Sequence, residues 1–195
     1  MKLVLDILQG LGLASATGLR PFLPTLVAGG LASADLGVDF DHTEFAFLES
    51  PWWLLAIAAA LVVSVFVRRQ LETGAGEAVL SGLGIGLGAL LCAASIDERH
   101  HTWWYGLLLG AVVAVLASSV SRQLFARVRA RFATTGDNEA AAALPFYGEA
   151  AGLVVAALSV LLPPVSVLVI GFLIALLVTG RRRSGQKYAG LRILR

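Results

Sequence analysis

The stretch from Pro145 to Gly180, PFYGEAAGLVVAALSVLLPPVSVLVIGFLIALLVTG, contains one carboxylate, Glu149, and no lysine or arginine. A hydrocarbon layer of about 30 Å is crossed by roughly 20 apolar residues in helical form, and residues 145–162 and 164–180 approach that length. Pro163 and Pro164 between them leave room for a tight antiparallel turn and nothing larger. A helix pair this apolar on every face has no side to offer water. Working outward, comparable runs occur at roughly 3–33, 51–67, 77–96 and 103–122, so the expected fold is all-α, a polytopic membrane helix bundle of about six spans in one transmembrane domain over 1–195. The whole composition agrees: 57% of the 195 residues are hydrophobic, 14% are charged, and the mean hydropathy is +0.81.

Punctuation between the runs supports this reading. Ser50 is placed to cap the second run, Pro51 suits a first helical turn, and Arg68-Arg69 closes it. With the N-terminus in the cytoplasm, thirteen basic residues fall on the cytoplasmic side: Lys2, Arg68, Arg69, Arg122, Arg127, Arg129, Arg131, Arg181, Arg182, Arg183, Lys187, Arg192 and Arg195. Arg99 alone falls opposite, and the excess of inner cations predicts cytoplasmic N- and C-termini with a basic tail over 181–195. Trp52-Trp53 and Trp103-Trp104-Tyr105 then meet the outer headgroup layer that amphipathic rings prefer. Glycines at 82, 84, 86 and 88, and the pairs Gly106/Gly110 and Gly148/Gly152, mark faces where helices approach closely.

The first apolar run is too long for one straight crossing: residues 3–33 would measure about 46 Å as a helix. The sequence Gly18-Leu19-Arg20-Pro21-Phe22-Leu23-Pro24 predicts a break near its middle, facing the bundle interior so that freed backbone groups find partners. A second break is expected at Leu144-Pro145. Two halves, 1–97 and 98–195, each with three spans, would be related as inverted repeats.

Few ionisable residues fall within the expected hydrocarbon: Arg20, Glu149, Glu77 nearer an edge, and Asp6 near the inner edge. An arginine at mid-span costs about 2.5 to 3.5 kcal/mol and so requires compensation. Arg20 is the leading candidate binding residue, with the hydroxyls of Ser15 and Thr17 and the restarting helix beside it suiting a small anion or an anionic headgroup. The alternative is a buried ion pair with Glu149 or Glu77 that pins the bundle.

Other chemistries find little support. Asp97-Glu98-Arg99-His100-His101 lacks metal-site spacing and reads as a solvated outer loop. Cys92 lies inside an apolar run as a packing residue. Asp6 and Gln9 interrupt what would otherwise resemble a secretory leader, so the first run is read as a span. There is no nucleophile elbow, phosphate loop or dinucleotide fingerprint, hence no enzyme, cofactor or metal is expected. The formal charge of +2 is distributed around apolar runs rather than over one folded face, which argues against nucleic acid.

The segments Gly12-Leu13-Ala14-Ser15-Ala16-Thr17-Gly18-Leu19-Arg20-Pro21-Phe22-Leu23-Pro24, Phe47-Leu48-Glu49-Ser50-Pro51-Trp52 and Lys187-Tyr188-Ala189-Gly190-Leu191-Arg192 resemble the bacterial membrane proteins of the domain of unknown function 4126 family. The resemblance covers nearly the whole chain and implies a membrane architecture in the bacterial cytoplasmic membrane, without transferring a substrate or a catalytic residue. The expected function is a small transporter or channel-like protein for an anion or anionic lipid, with Arg20 at its site. The rival expectation is a structural or partner-binding membrane protein in which Arg20 and Glu149 only lock the bundle. Expected partners are the lipid bilayer, that anion or lipid, and a second copy of the chain.

Overall fold

The computed structural model describes residues 2–41, 43–67, 74–100, 103–135 and 138–189, with side chains described over 3–41, 43–67, 74–97, 103–132 and 143–180. Among them are seven α-helices and no strand: α1 (Lys2–Leu19), α2 (Phe22–Ala32), α3 (Pro51–Phe66), α4 (Ala75–His100), α5 (Trp103–Thr135), α6 (Asn138–Leu161) and α7 (Val165–Ala189). A single 3₁₀ turn, Ala46–Glu49, precedes α3. Three segments are long and apolar enough to cross a membrane: Ala75–Asp97, Trp103–Phe132 and Ala143–Leu161. Leu3–Leu19, Phe22–Ala32, Pro51–Phe66 and Val165–Gly180 are shorter apolar helices, so six full-length spans are not confirmed among the described residues.

The local signals at α3 act as their chemistry dictates. Ser50 Oγ accepts from the Trp53 N–H at 3.3 Å, and Pro51 occupies the first turn, where its missing donor has no consequence. Pro163 and Pro164 separate α6 from α7 as a turn. Pro145 behaves differently from expectation, because α6 continues through it without a break.

Direction is set by close contacts along α1, the helix at the centre of the bundle. Gly10 packs on Cys92 and Gly12 on Ser159 and Ser166, whereas Gly18 packs on Ala114 and Ala117 and the Leu19 carbonyl accepts from Ser121 Oγ. Thus α1 runs parallel to α5 and antiparallel to α4 and α6. At Arg20-Pro21 the chain turns back, and α2 climbs beside α6 until Gly37 reaches Val160 and its carbonyl accepts from Gln9 Nε2 at 2.7 Å. Residues 3–33 are therefore a helical hairpin, not one tilted span. One end of the bundle gathers the start of α1, the 33–50 connection, Trp52, Trp53, Trp103 and Trp104; we call it the tryptophan end. The opposite, basic end holds Arg20, Glu77, Arg122, Arg127, Arg129 and Arg131.

This corrects three expectations. Lys2 begins α1 at the tryptophan end while α7 finishes at the basic end, so the two termini of the helical array lie on opposite sides. The charge count cannot detect this, because an unrecognised reversal inside one apolar run flips everything before it. Asp6, buried at 4% exposure, accordingly sits toward the tryptophan end. The inverted repeat is not supported either, since it requires the first helix to oppose α5, and α1 and α5 point the same way.

Small residues allow these approaches. A Cβ on Gly84 would lie 2.7 Å from the Thr17 carbonyl oxygen, and one on Gly88 would lie 2.6 Å from Thr17 Oγ1. Gly82 and Gly86 face open space, so one of the two interleaved glycine pairs packs and the other does not. Cys92, fully buried, wedges between Gly10 and Gly110.

At the tryptophan end, carboxylates tie down irregular backbone. Glu49 Oε1 accepts from the buried Phe40 N–H, and Asp97 Oδ2 accepts from the Glu44 N–H at 3.1 Å. Asp97 is buried on α4, which extends to His100, so its segment is helical rather than a solvated loop; the side chains of Glu98 through His101 lie outside the described residues.

Candidate functional site

The reversal between α1 and α2 creates the site. Leu19 ends α1, and its carbonyl, which has no further turn to bond, accepts from Ser121 Oγ of α5 at 3.3 Å. Pro21 leads into α2, and Thr25 Oγ1 donates back to the Pro21 carbonyl at 2.6 Å. The negative end of the α1 dipole and the positive end of the α2 dipole thus meet at Arg20. The reversal lies about 27 Å along α1 from Lys2, and α4, α5 and α6 continue beyond it on the basic side.

Arg20 is half-buried. Its guanidinium carbon lies 5.0 Å from the centre of the Phe125 ring, a cation–π contact, and its Nε is sequestered from solvent. Gly148 is what permits this: a Cβ there would lie 2.6 Å from Phe125 Cζ and 3.0 Å from Arg20 Nε. One turn on, Gly152 receives Pro24 and the Ala16 carbonyl. The Gly148/Gly152 pair is therefore the seat of the hairpin on α6.

Next to this contact is a cavity of about 120 Å³. Among the described residues, Arg20, Arg122 and Arg129 line it, with the Glu77 carboxylate of α4 and Ser81, Ser118 and Ser121 as hydroxyl-bearing neighbours. A water requires about 10–15 Å³ of such space, so the cavity accommodates several waters or one oxyanion. Guanidinium groups present paired donors matched to phosphate or carboxylate oxygens.

Of the residues expected at the site, Arg20 and Glu77 are brought together. Ser15 and Thr17 are not: both are completely buried, with Ser15 Oγ donating to the Gly12 carbonyl at 2.7 Å and Thr17 Oγ1 to the Leu13 and Ala14 carbonyls at 3.1 Å. On a helix these hydroxyls bond one turn back instead of outward. Glu149 is half-buried with Oε2 excluded from solvent, adjacent to the glycine that touches Arg20, but it does not line the cavity. In sequence Arg122 and Arg129 serve only as orientation signals. Their spacing with Ser118, Ser121 and Phe125 traces one helical face, the signal that could have placed them.

At the tryptophan end, carboxylate oxygens of Asp39, Asp41 and Glu49 lie within 4.8 Å of one another. Burial, followed by the charges of Asp41 and Asp39, holds the Glu49 carboxyl above its ordinary value despite the Phe40 N–H bond that lowers it.

The class defined is an all-helical protein with apolar helices of membrane-crossing length and a guanidinium-lined cavity at one end. Residues 7–183 match the family described as Domain of unknown function (DUF4126), and the chain belongs to it. No curated protein and no solved structure matches the chain.

Proposed function

We propose that the chain is a small integral membrane protein of the bacterial cytoplasmic membrane, its basic end in the cytoplasm, that binds and transfers a small anion or an anionic lipid at the Arg20 cavity. The observation that carries this reading is the convergence of Arg20, Arg122 and Arg129 on one hollow where a helix reverses. Guanidiniums gathered round one hollow draw an anion toward it, with Glu77 beside them. The orientation rests on the basic residues of α5 at that end. The test is reconstitution in liposomes, with anion flux and lipid scrambling followed for the unaltered protein and Arg20→Gln. Activity that falls at least tenfold in the variant supports the reading, whereas equal activity removes Arg20 from the mechanism.

A second reading, a structural or partner-binding protein without transport, draws on the packing of Arg20 against Phe125 and Gly148. It predicts no flux in either sample and a lower unfolding midpoint for Arg20→Gln.

A further inference from the structure

The cavity does not end at its cationic wall. A groove of about 660 Å³ adjoins it along the outward face of α5 and shares Glu77, Arg122 and Ala126 with it. Away from Arg122 the groove walls turn apolar, passing Ser119 to Leu116, Val115 and Val112, with Leu177 of α7 on the far side. Val115 and Val112 are 45% and 63% exposed, which opens the groove sideways toward lipid. From Arg122 to Val112 the strip rises about 15 Å, half of a hydrocarbon core of about 30 Å and hence the depth of one leaflet.

We infer that the ligand of this site is an anionic glycerophospholipid from the leaflet at the basic end, its phosphate among Arg20, Arg122 and Arg129 and one acyl chain in the α5–α7 groove. This rests on the reading of the cavity as an anion site and names the class of its ligand. A soluble anion gains nothing from an apolar groove running from its cavity into the membrane, whereas an amphiphile needs both halves at this spacing. The lining fits as well: three guanidiniums face the cavity where the phosphate would lie. Lateral entry spares the acyl chain any passage through water.

The test uses the full-length protein in uncharged detergent, with binding measured for a short-chain phosphatidic acid, for phosphatidylcholine of the same chain length, and for inorganic phosphate. Arg122→Gln removes charge shared by both halves, and Val115→Trp fills the groove; Val112→Trp is the substitute should Val115→Trp lower the unfolding midpoint. Phosphatidic acid is expected to bind at least about tenfold more tightly than either other probe, and each variant to weaken it about fivefold or more. Equal binding of inorganic phosphate, with Val115→Trp silent and Arg122→Gln damaging, would overturn the inference while leaving the anion site standing. Equal binding of phosphatidylcholine would overturn it by making the groove a nonspecific lipid contact. Failure of all three probes to bind would defeat both the inference and the anion site.

Discussion

The two ends of this bundle use charge in opposite ways. At the tryptophan end, Glu49 and Asp97 each accept a backbone N–H from the 33–50 connection, so their carboxylates serve as caps for a segment with little regular structure. At the basic end the chain reverses within two residues and its backbone is satisfied by hydroxyls, from Ser121 and Thr25. Arg20, Arg122 and Arg129 line a hollow there, while Arg127 Nη2 donates to the Gly180 carbonyl at 3.2 Å. Carboxylates thus cap irregular backbone at one end, and guanidiniums gather round a cavity at the other.

Substitutions at the tryptophan end should therefore affect stability most. Glu49→Ala strands the N–H of the fully buried Phe40, and Asp97→Ala strands that of Glu44. Denaturant unfolding in detergent should show a loss of about 1 to 3 kcal/mol for each. A loss below about 0.5 kcal/mol for both would erase the contrast between the ends. The Arg20→Gln and Glu149→Gln cycle comes next. Gly148 brings α6 against Arg20, so the double variant should be less destabilised than the two singles sum to, by about 1 kcal/mol, and additive losses would show that the two side chains act separately.

The pH response sharpens the same contrast. Glu49 carries a raised carboxyl in the folded protein, so the proton-linked part of its contribution, separate from the Phe40 N–H bond, is complete below its ordinary value of 4.5, declines as pH rises from there through the raised value, and is gone above it. Thermal midpoints should fall across that window, and Glu49→Gln should flatten the fall; an unchanged slope would assign the pH dependence to other groups. The smallest stability effect is expected at the basic end. Arg122→Gln, on an exposed side chain, should shift unfolding by no more than about 0.5 kcal/mol while reducing ligand binding.

Much of the architecture is legible in sequence because lipid imposes a simple rule: apolar runs of a given length become helices. Ser50-Pro51 and Pro163-Pro164 mark boundaries that the structure keeps. The hairpin at Arg20-Pro21 is legible only in part. Two prolines and excess length predict a break, but whether the chain continues or returns is decided by where α2 finds a surface, and that surface is Gly152 and Val160, far along the sequence. Pro145 makes the same point in reverse, being carried inside a continuous helix. At the site, Arg20 and Glu77 were identifiable as charges in apolar surroundings. Arg122 and Arg129 resemble ordinary flanking cations in sequence, and Ser15 and Thr17 stand close to Arg20 along the helix but not in direction.

The central position of α1 has a further consequence for assembly. Its close neighbours come from α4, α5, α6 and α7, so a helix translated early is enclosed by helices translated later. Until Ser159 and Ser166 have emerged from the ribosome, Gly12 has nothing to pack against, and the polar face carrying Asp6 and Gln9 must wait without its final surroundings. Such contacts across long stretches of chain slow folding.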